Sequence, residues 1–281
     1  MPGGTPSGRR GQTAQVSDLR TSTGTSWSGT NTLSTVADGD ERYVHHDGSC
    51  LYAEGMEPPL TIVALAFPNI TQLDLTGPAQ VFSRYPDAEL HIAWHRTDPV
   101  ATDSGFMILP TTTFAQAPQA DVLFVPGGQG AFELFDDAEA LEFIRGQAGG
   151  AQHVTSVCTG SFVLAAAGLL EGRKATSHWA SLHMLSQLGA TPVERRVVRD
   201  GNLLTGAGIT SGIDFALTLA SEIYGDDVAR GIQLALEYDP APPFGAGSPA
   251  RPEASQGQVQ EQVEAMTALR SPMIEEFLRR S

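Results

Sequence analysis

Val154-Thr155-Ser156-Val157-Cys158-Thr159-Gly160-Ser161 runs straight into Phe162-Val163-Leu164-Ala165-Ala166-Ala167-Gly168. The β-branched stretch from Val154 to Val157 reads as a short buried strand, and the small, apolar, Ala-rich stretch after it as a buried helix. No residues remain between them for a loop. The thiol of Cys158 must therefore stand at a strand-to-helix corner, as serine does in a nucleophile elbow. A helix N-terminus behind the sulfur is expected to favour the thiolate. Free cysteine is also among the most buried residue types. From the thiol alone an inert core position is the commoner outcome; the corner tips the reading toward a reactive one.

Around this corner the chain alternates between strand and helix patterns. Residues 60–67 form a near-continuous apolar run, as expected of a strand buried on both faces of a parallel sheet. Further strands are expected at 90–94, 106–109 (short, an edge) and 121–125. Helices are expected from Thr76-Gly77-Pro78, with proline in the first turn, and at 138–147, 178–188 (capped by Ser177), 210–224 and 227–236. Asp200-Gly201-Asn202 is a hairpin turn between residues 193–198 and 203–205. Such alternation predicts an α/β three-layer sandwich with a mostly parallel sheet, whose sites form at the carboxyl ends of the strands.

Three chemically distinctive pieces follow strand ends. Asp74 comes after the first, Gly127-Gly128 after the fourth and Cys158 after the fifth. Asp74, between two leucines, is either a helix N-cap or an acid/base group whose carboxyl is kept protonated by an apolar surround. Gly127-Gly128 is either a tight turn that needs positive φ or, with the Thr159 amide, an oxyanion-hole-type set of N–H donors. His178 is the other candidate base, but the Ser177-His178-Trp179 context favours a structural role. No His/Cys/carboxylate cluster has metal-ligand spacing, and no dinucleotide fingerprint follows a strand, so neither a metal nor an organic cofactor is expected.

Composition limits the function classes. The chain has 281 residues, 41% of them hydrophobic, and a formal net charge of −15. So acidic a surface repels phosphate backbones and argues against nucleic-acid binding. Its two cysteines, Cys50 and Cys158, imply no disulfide framework and suit a reducing compartment. No run reaches the roughly 18 apolar residues of a membrane span, and the N-terminus lacks a secretory h-region; a cytoplasmic protein without membrane contact is expected. Residues 1–56, rich in Gly, Ser and Thr, are expected to be a disordered extension, with Met56 an alternative start. Residues 57–245 are expected to be the α/β domain. Residues 246–281 are expected to be a tail whose amphipathic helix, 256–269, is interrupted at Pro272 and packs on the body or on a partner subunit.

These residues resemble the DJ-1/PfpI superfamily. The likeness lies in Pro126-Gly127-Gly128, in Val157-Cys158-Thr159-Gly160 and in an acidic residue after the first strand. The resemblance implies a flavodoxin-like sandwich, a homodimer and a reactive cysteine at the elbow. Thr159 stands where the peptidase and chaperone branches commonly have histidine, which argues against peptidase chemistry. Over roughly residues 58–250 the chain is most similar to the isocyanide-hydrating branch. That similarity rests on the segments Gln72 to Pro78, Thr155 to Ser161, His178-Trp179-Ala180, Val197 to Gly206, Gly212 to Leu217 and Leu236 to Phe244. It implies a small-molecule isocyanide substrate, converted to an N-substituted formamide through a Cys158 thioimidate. Asp74 would move protons, Thr159 would position Asp74 or water, and the Gly128 and Thr159 amides would stabilise charge. The alternatives are a sensing domain related to AraC-type regulators, another cysteine-dependent enzyme (glyoxalase-like or amidase-like) and a redox sensor. A regulator would need a basic helix-turn-helix region, which the stretch after Tyr238 is too short and too acidic to supply.

Overall fold

The computed structural model describes residues 58–280 and the backbone of residues 43–44 and 50–51. The chain divides into Met1–Pro59 and Leu60–Ser281. In the first unit Tyr43–Val44 pairs antiparallel with Cys50–Leu51, a ladder that the sequence reading lacked. The rest of the extension expected over 1–56 lies outside the described residues. The second unit runs through the expected 245/246 boundary without a break.

The second unit is built on a seven-stranded sheet. Its strands are β1 (Leu60–Leu65), β2 (Ala88–Trp94), β3 (Thr112–Thr113), β4 (Val122–Val125), β5 (His153–Val157), β6 (Val197–Asp200) and β7 (Leu203–Gly206). Their spatial order is β6-β7-β5-β4-β1-β2-β3. Every pairing is parallel except β6 with β7, the hairpin expected at Asp200-Gly201-Asn202. The central strands are apolar on both faces because helices cover both. On one side Phe82 of α1 (Gln72–Phe82) and Phe215 of α4 (Ser211–Tyr224) both pack against Phe124 of β4. The other side carries α2 (Ala138–Gly150) and α3 (Gly160–Ala166). Asp137 caps α2 by accepting the Ala140 N–H at 3.0 Å. α5 (Asp226–Ala235) follows α4, and α6 (Gln256–Arg280) ends the fold. Among the described residues no helix is long and apolar enough to cross a membrane.

Four local expectations differ from the structure, each for a physical reason. The strand expected at 106–109 is Met107–Ile108, which pairs with Val100–Ala101 outside the main sheet; β3 takes the edge instead. α1 begins at Gln72, ahead of Pro78, because Asp103 reaches over from the Val100–Ile108 hairpin. Its carboxylate accepts the Thr71 hydroxyl at 2.7 Å and the Gln72 N–H at 3.4 Å. The helix expected at 178–188 is a turn followed by a 3-10 helix, Leu182–Leu188. Ser177 caps nothing there, since its hydroxyl donates to the Cys158 carbonyl at 2.9 Å. Finally, α6 continues through Pro272 to Arg280. An internal proline costs about 3 kcal/mol, which docking offsets: Ile274 is fully buried, worth roughly 1.5–3 kcal/mol, and Phe277 packs on Phe135.

Candidate active site

The three pieces picked out at strand ends converge. A Cβ built on Gly127 would lie 2.6 Å from the Thr159 nitrogen, 2.8 Å from Asp74 Oδ2 and 2.8 Å from the Cys158 Cβ. No side chain fits there, and the absence of one lets the β4 loop, the α1 acid and the elbow meet. Gly128 has φ +140° and approaches the backbone of Asn69 and Thr71 within what would be 2.5 Å of a Cβ. The turn therefore requires glycine at both positions.

Cys158 occupies the corner with φ 57°, a left-handed conformation that costs a non-glycine residue roughly 1–3 kcal/mol. Its neighbours hold it there. Its N–H donates to the Gly206 and Ala207 carbonyls at 3.0 and 3.1 Å, and its carbonyl accepts the Ser161 and Ser177 hydroxyls. Residues after β5, after β7 and before Leu182–Leu188 thus fix the one backbone unit from which the sulfur projects.

Asp74 is in the first turn of α1, not at its N-cap, which is Thr71. It is fully buried, and among the described residues neither of its carboxyl oxygens has a hydrogen-bond partner of normal geometry. Burial pushes its carboxyl up to about 8, against the opposing influence of the neighbouring Cys158 thiol and the Gly127 N–H, with the Asp103 charge adding to the rise. The carboxyl therefore holds its proton at neutral pH. Cys158 is 5% exposed. Burial first, then the Asp74 charge, push its thiol well above the usual range, while the Thr159 N–H and Arg270 pull the other way. Burial thus works against the thiolate expected from the helix N-terminus.

Thr159 is likewise corrected in detail. The residue is buried, and the hydrogen bonds of its hydroxyl go to the β4 loop and not to Asp74. It accepts the Gly128 N–H at 2.8 Å and donates to the Gly128 carbonyl at 2.9 Å. The Gly128 amide is therefore already occupied and is not aimed at a substrate charge; the amides that act on the reactive pair are those of Gly127 and Thr159. His178 is held neutral, pushed down to about 4 by burial and by Arg270, and its Nδ1 accepts the Ala180 N–H at 3.3 Å. Among the described residues no group of three or more His, Cys, Asp or Glu side chains could hold a metal ion. The sequence reading missed Arg270 and Ser181. Arg270 donates to the Ser181 hydroxyl at 2.5 Å and to Gln129 Oε1 at 3.3 Å, and only the docking of α6 brings it there.

A cysteine on a strained strand-to-helix corner, faced by a buried carboxylic acid at the carboxyl edge of a parallel sheet, defines a class of α/β proteins. Residues 61–222 match the DJ-1/PfpI family model, and the chain belongs to that family. It is 57% identical over 190 residues to an isonitrile hydratase of Pseudomonas putida, covering 68% of this chain and 83% of that one. Among solved structures, a THiJ/PfpI family protein from Pseudomonas syringae superposes with a TM-score of 0.74 at 41% identity, over 78% of this chain and 90% of that one. Drosophila melanogaster DJ-1beta superposes with a TM-score of 0.58 at 26% identity, over 64% and 98%.

Proposed function

We propose that this protein is an isocyanide hydratase, a hydro-lyase that adds water to R–N≡C to give the N-substituted formamide. The observation that carries this reading is the fully buried Asp74 carboxyl meeting Cys158 across Gly127, with burial favouring the protonated form of both groups. The identity to the Pseudomonas putida isonitrile hydratase supports it. An isocyanide's terminal carbon carries no substituent, so it is slim enough to reach a cysteine only 5% exposed.

In this mechanism Asp74 gives a proton from one oxygen and takes one at the other in every step. First, its proton goes to the terminal carbon as sulfur bonds that carbon, and the thiol proton passes to Asp74, leaving R–N=CH–S–Cys158. Next, water bonds the same carbon; the imine nitrogen takes the Asp74 proton and water returns one. Last, the C–S bond breaks with its electron pair going to sulfur. The hydroxyl proton passes to Asp74, Asp74 returns a proton to sulfur, and the formamide leaves. No charged carboxylate has to persist in the buried site. Thr159 acts by holding the Gly127-Gly128 turn against the elbow.

The expected result with cyclohexyl isocyanide is N-cyclohexylformamide, with turnover abolished in Cys158→Ala while the fold is kept. A wild-type protein that makes no formamide from alkyl or aryl isocyanides would overturn the reading. A homodimer in the cytoplasm completes the proposal. The exposed Phe106, Met107 and Leu109 support self-association, and sedimentation at the mass of a single copy would remove the dimer.

A further inference from the structure

The C-terminal helix enters the wall of the thiol site. Arg270, half-buried on α6, makes three contacts there. It donates to Ser181, which is fully buried, and to Gln129, in the β4 loop next to Gly128. Its guanidinium also lies 4.9 Å from the centre of the Phe132 ring, a cation–π geometry. Phe132 in turn packs at 4.9 Å on Phe162 of the elbow helix α3. Gln129 is gripped from a second side, its amide pointing at Met273 Sδ of α6 at 3.8 Å. One side chain of the tail thus ties together the loop that carries Gly127-Gly128, the segment after Ser177 and the helix behind the sulfur.

We propose that Arg270 is a positioning residue of the thiol site: it locks Gln129, Ser181 and Phe132 into one wall of that site, and from this wall its positive charge favours the charge that gathers on sulfur as the C–S bond breaks. This rests on the hydratase mechanism above for its purpose, but not for its detection. The Arg270 charge lowers the Cys158 thiol, as the Thr159 amide does, against burial and the Asp74 carboxyl from α1, which raise it. His178, the other titratable group under the influence of Arg270, stays neutral and contributes no competing charge.

The test titrates the Cys158 thiol by its ultraviolet thiolate absorbance, read as the difference from Cys158→Ser so that Cys50 cancels. Arg270→Met is expected to move the curve about one pH unit toward alkali, with Arg270→Lys returning it most of the way. In the formamide assay Arg270→Met should lower kcat about tenfold with KM little changed. Should Arg270→Met fail to fold, Ile274→Ala loosens α6 without touching the guanidinium and is expected to shift the same curve in the same direction. A titration that superimposes on wild type in the methionine variant, or in Ile274→Ala if the former does not fold, would overturn the proposal, as would a lysine variant that restores nothing. Because the titration uses no isocyanide, a parent protein inactive in the formamide assay would sink the hydratase reading and leave the Arg270 result readable.

Discussion

Asp74 carries the strongest chemical statement in the molecule. An aspartate that is fully buried with neither oxygen in a well-formed hydrogen bond is a costly residue unless it stays neutral, and neutrality is what a proton shuttle between sulfur, carbon, nitrogen and oxygen requires. The proposed mechanism needs Asp74 protonated, so hydration should hold steady through neutral pH and fall as pH rises through about 8, where that carboxyl ionises. A pH–rate profile of kcat/KM checks this; a rate that climbs across the same range would assign Asp74 the role of a simple base. Asp74→Asn keeps the shape but has no proton to exchange in this way, and a loss of roughly 10²–10⁴-fold is expected.

Among the elements, the elbow depends on the β4 loop as much as on its own helix. Thr159 closes a two-way hydrogen bond with Gly128, accepting from its N–H and donating to its carbonyl. Thr159→Val has nearly the same volume but leaves the buried Gly128 N–H without that partner, at roughly 1–3 kcal/mol, while the Gly128 carbonyl keeps only the Ala131 N–H at 3.3 Å. Thermal unfolding should therefore show a lowered Tm together with reduced formamide production, and Thr159→Ser should recover both. A valine variant as stable and active as wild type would mean that the turn holds itself. The C-terminal helix plays the matching part on the other wall. Its proline is tolerated because Met273, Ile274 and Phe277 find partners on the body, a compensation that no local propensity can encode.

For the molecule as a whole, the same buried acid links function to stability. Folded Asp74 keeps its proton to about pH 8, whereas its ordinary value is 3.8. Between these values the native state binds more protons than the unfolded chain, and stability falls as pH rises. The penalty is absent below about pH 4 and complete above about 8. The Cys158 thiol, also raised, adds a further loss beyond its own ordinary range. Asp74→Asn removes the ionisation and should be more stable than wild type near pH 8, with the two curves converging in acid. Denaturant midpoints across this range measure it, and a wild-type protein that gains stability from pH 5 to 8 relative to Asp74→Asn would contradict the assignment. Distant motifs of the family resemblance also meet in the folded chain. Asp214 of α4 accepts from Arg196 Nε at 2.5 Å and from the Tyr238 hydroxyl at 3.1 Å, tying the proline-rich segment back to the sheet edge.

The parallel sheet, the corner at Cys158 and the meeting of Asp74, Gly127 and Cys158 were legible in the residues alone. Apolar strand runs, an abrupt strand-to-helix junction and the carboxyl-edge rule are local or topological signals that survive without coordinates. What the linear chain does not carry is desolvation and docking. The rise of the thiol and the carboxyl comes first from burial by neighbours distant in sequence. The Gly128 amide is spent on Thr159, and Ser177 on the elbow carbonyl instead of on a helix cap, because each polar group bonds the partner that folding brings nearest. Arg270 faces the site because an otherwise polar tail buries Ile274 against the body. Such pairings span from 19 to 141 residues of sequence, and only burial of the whole unit selects them.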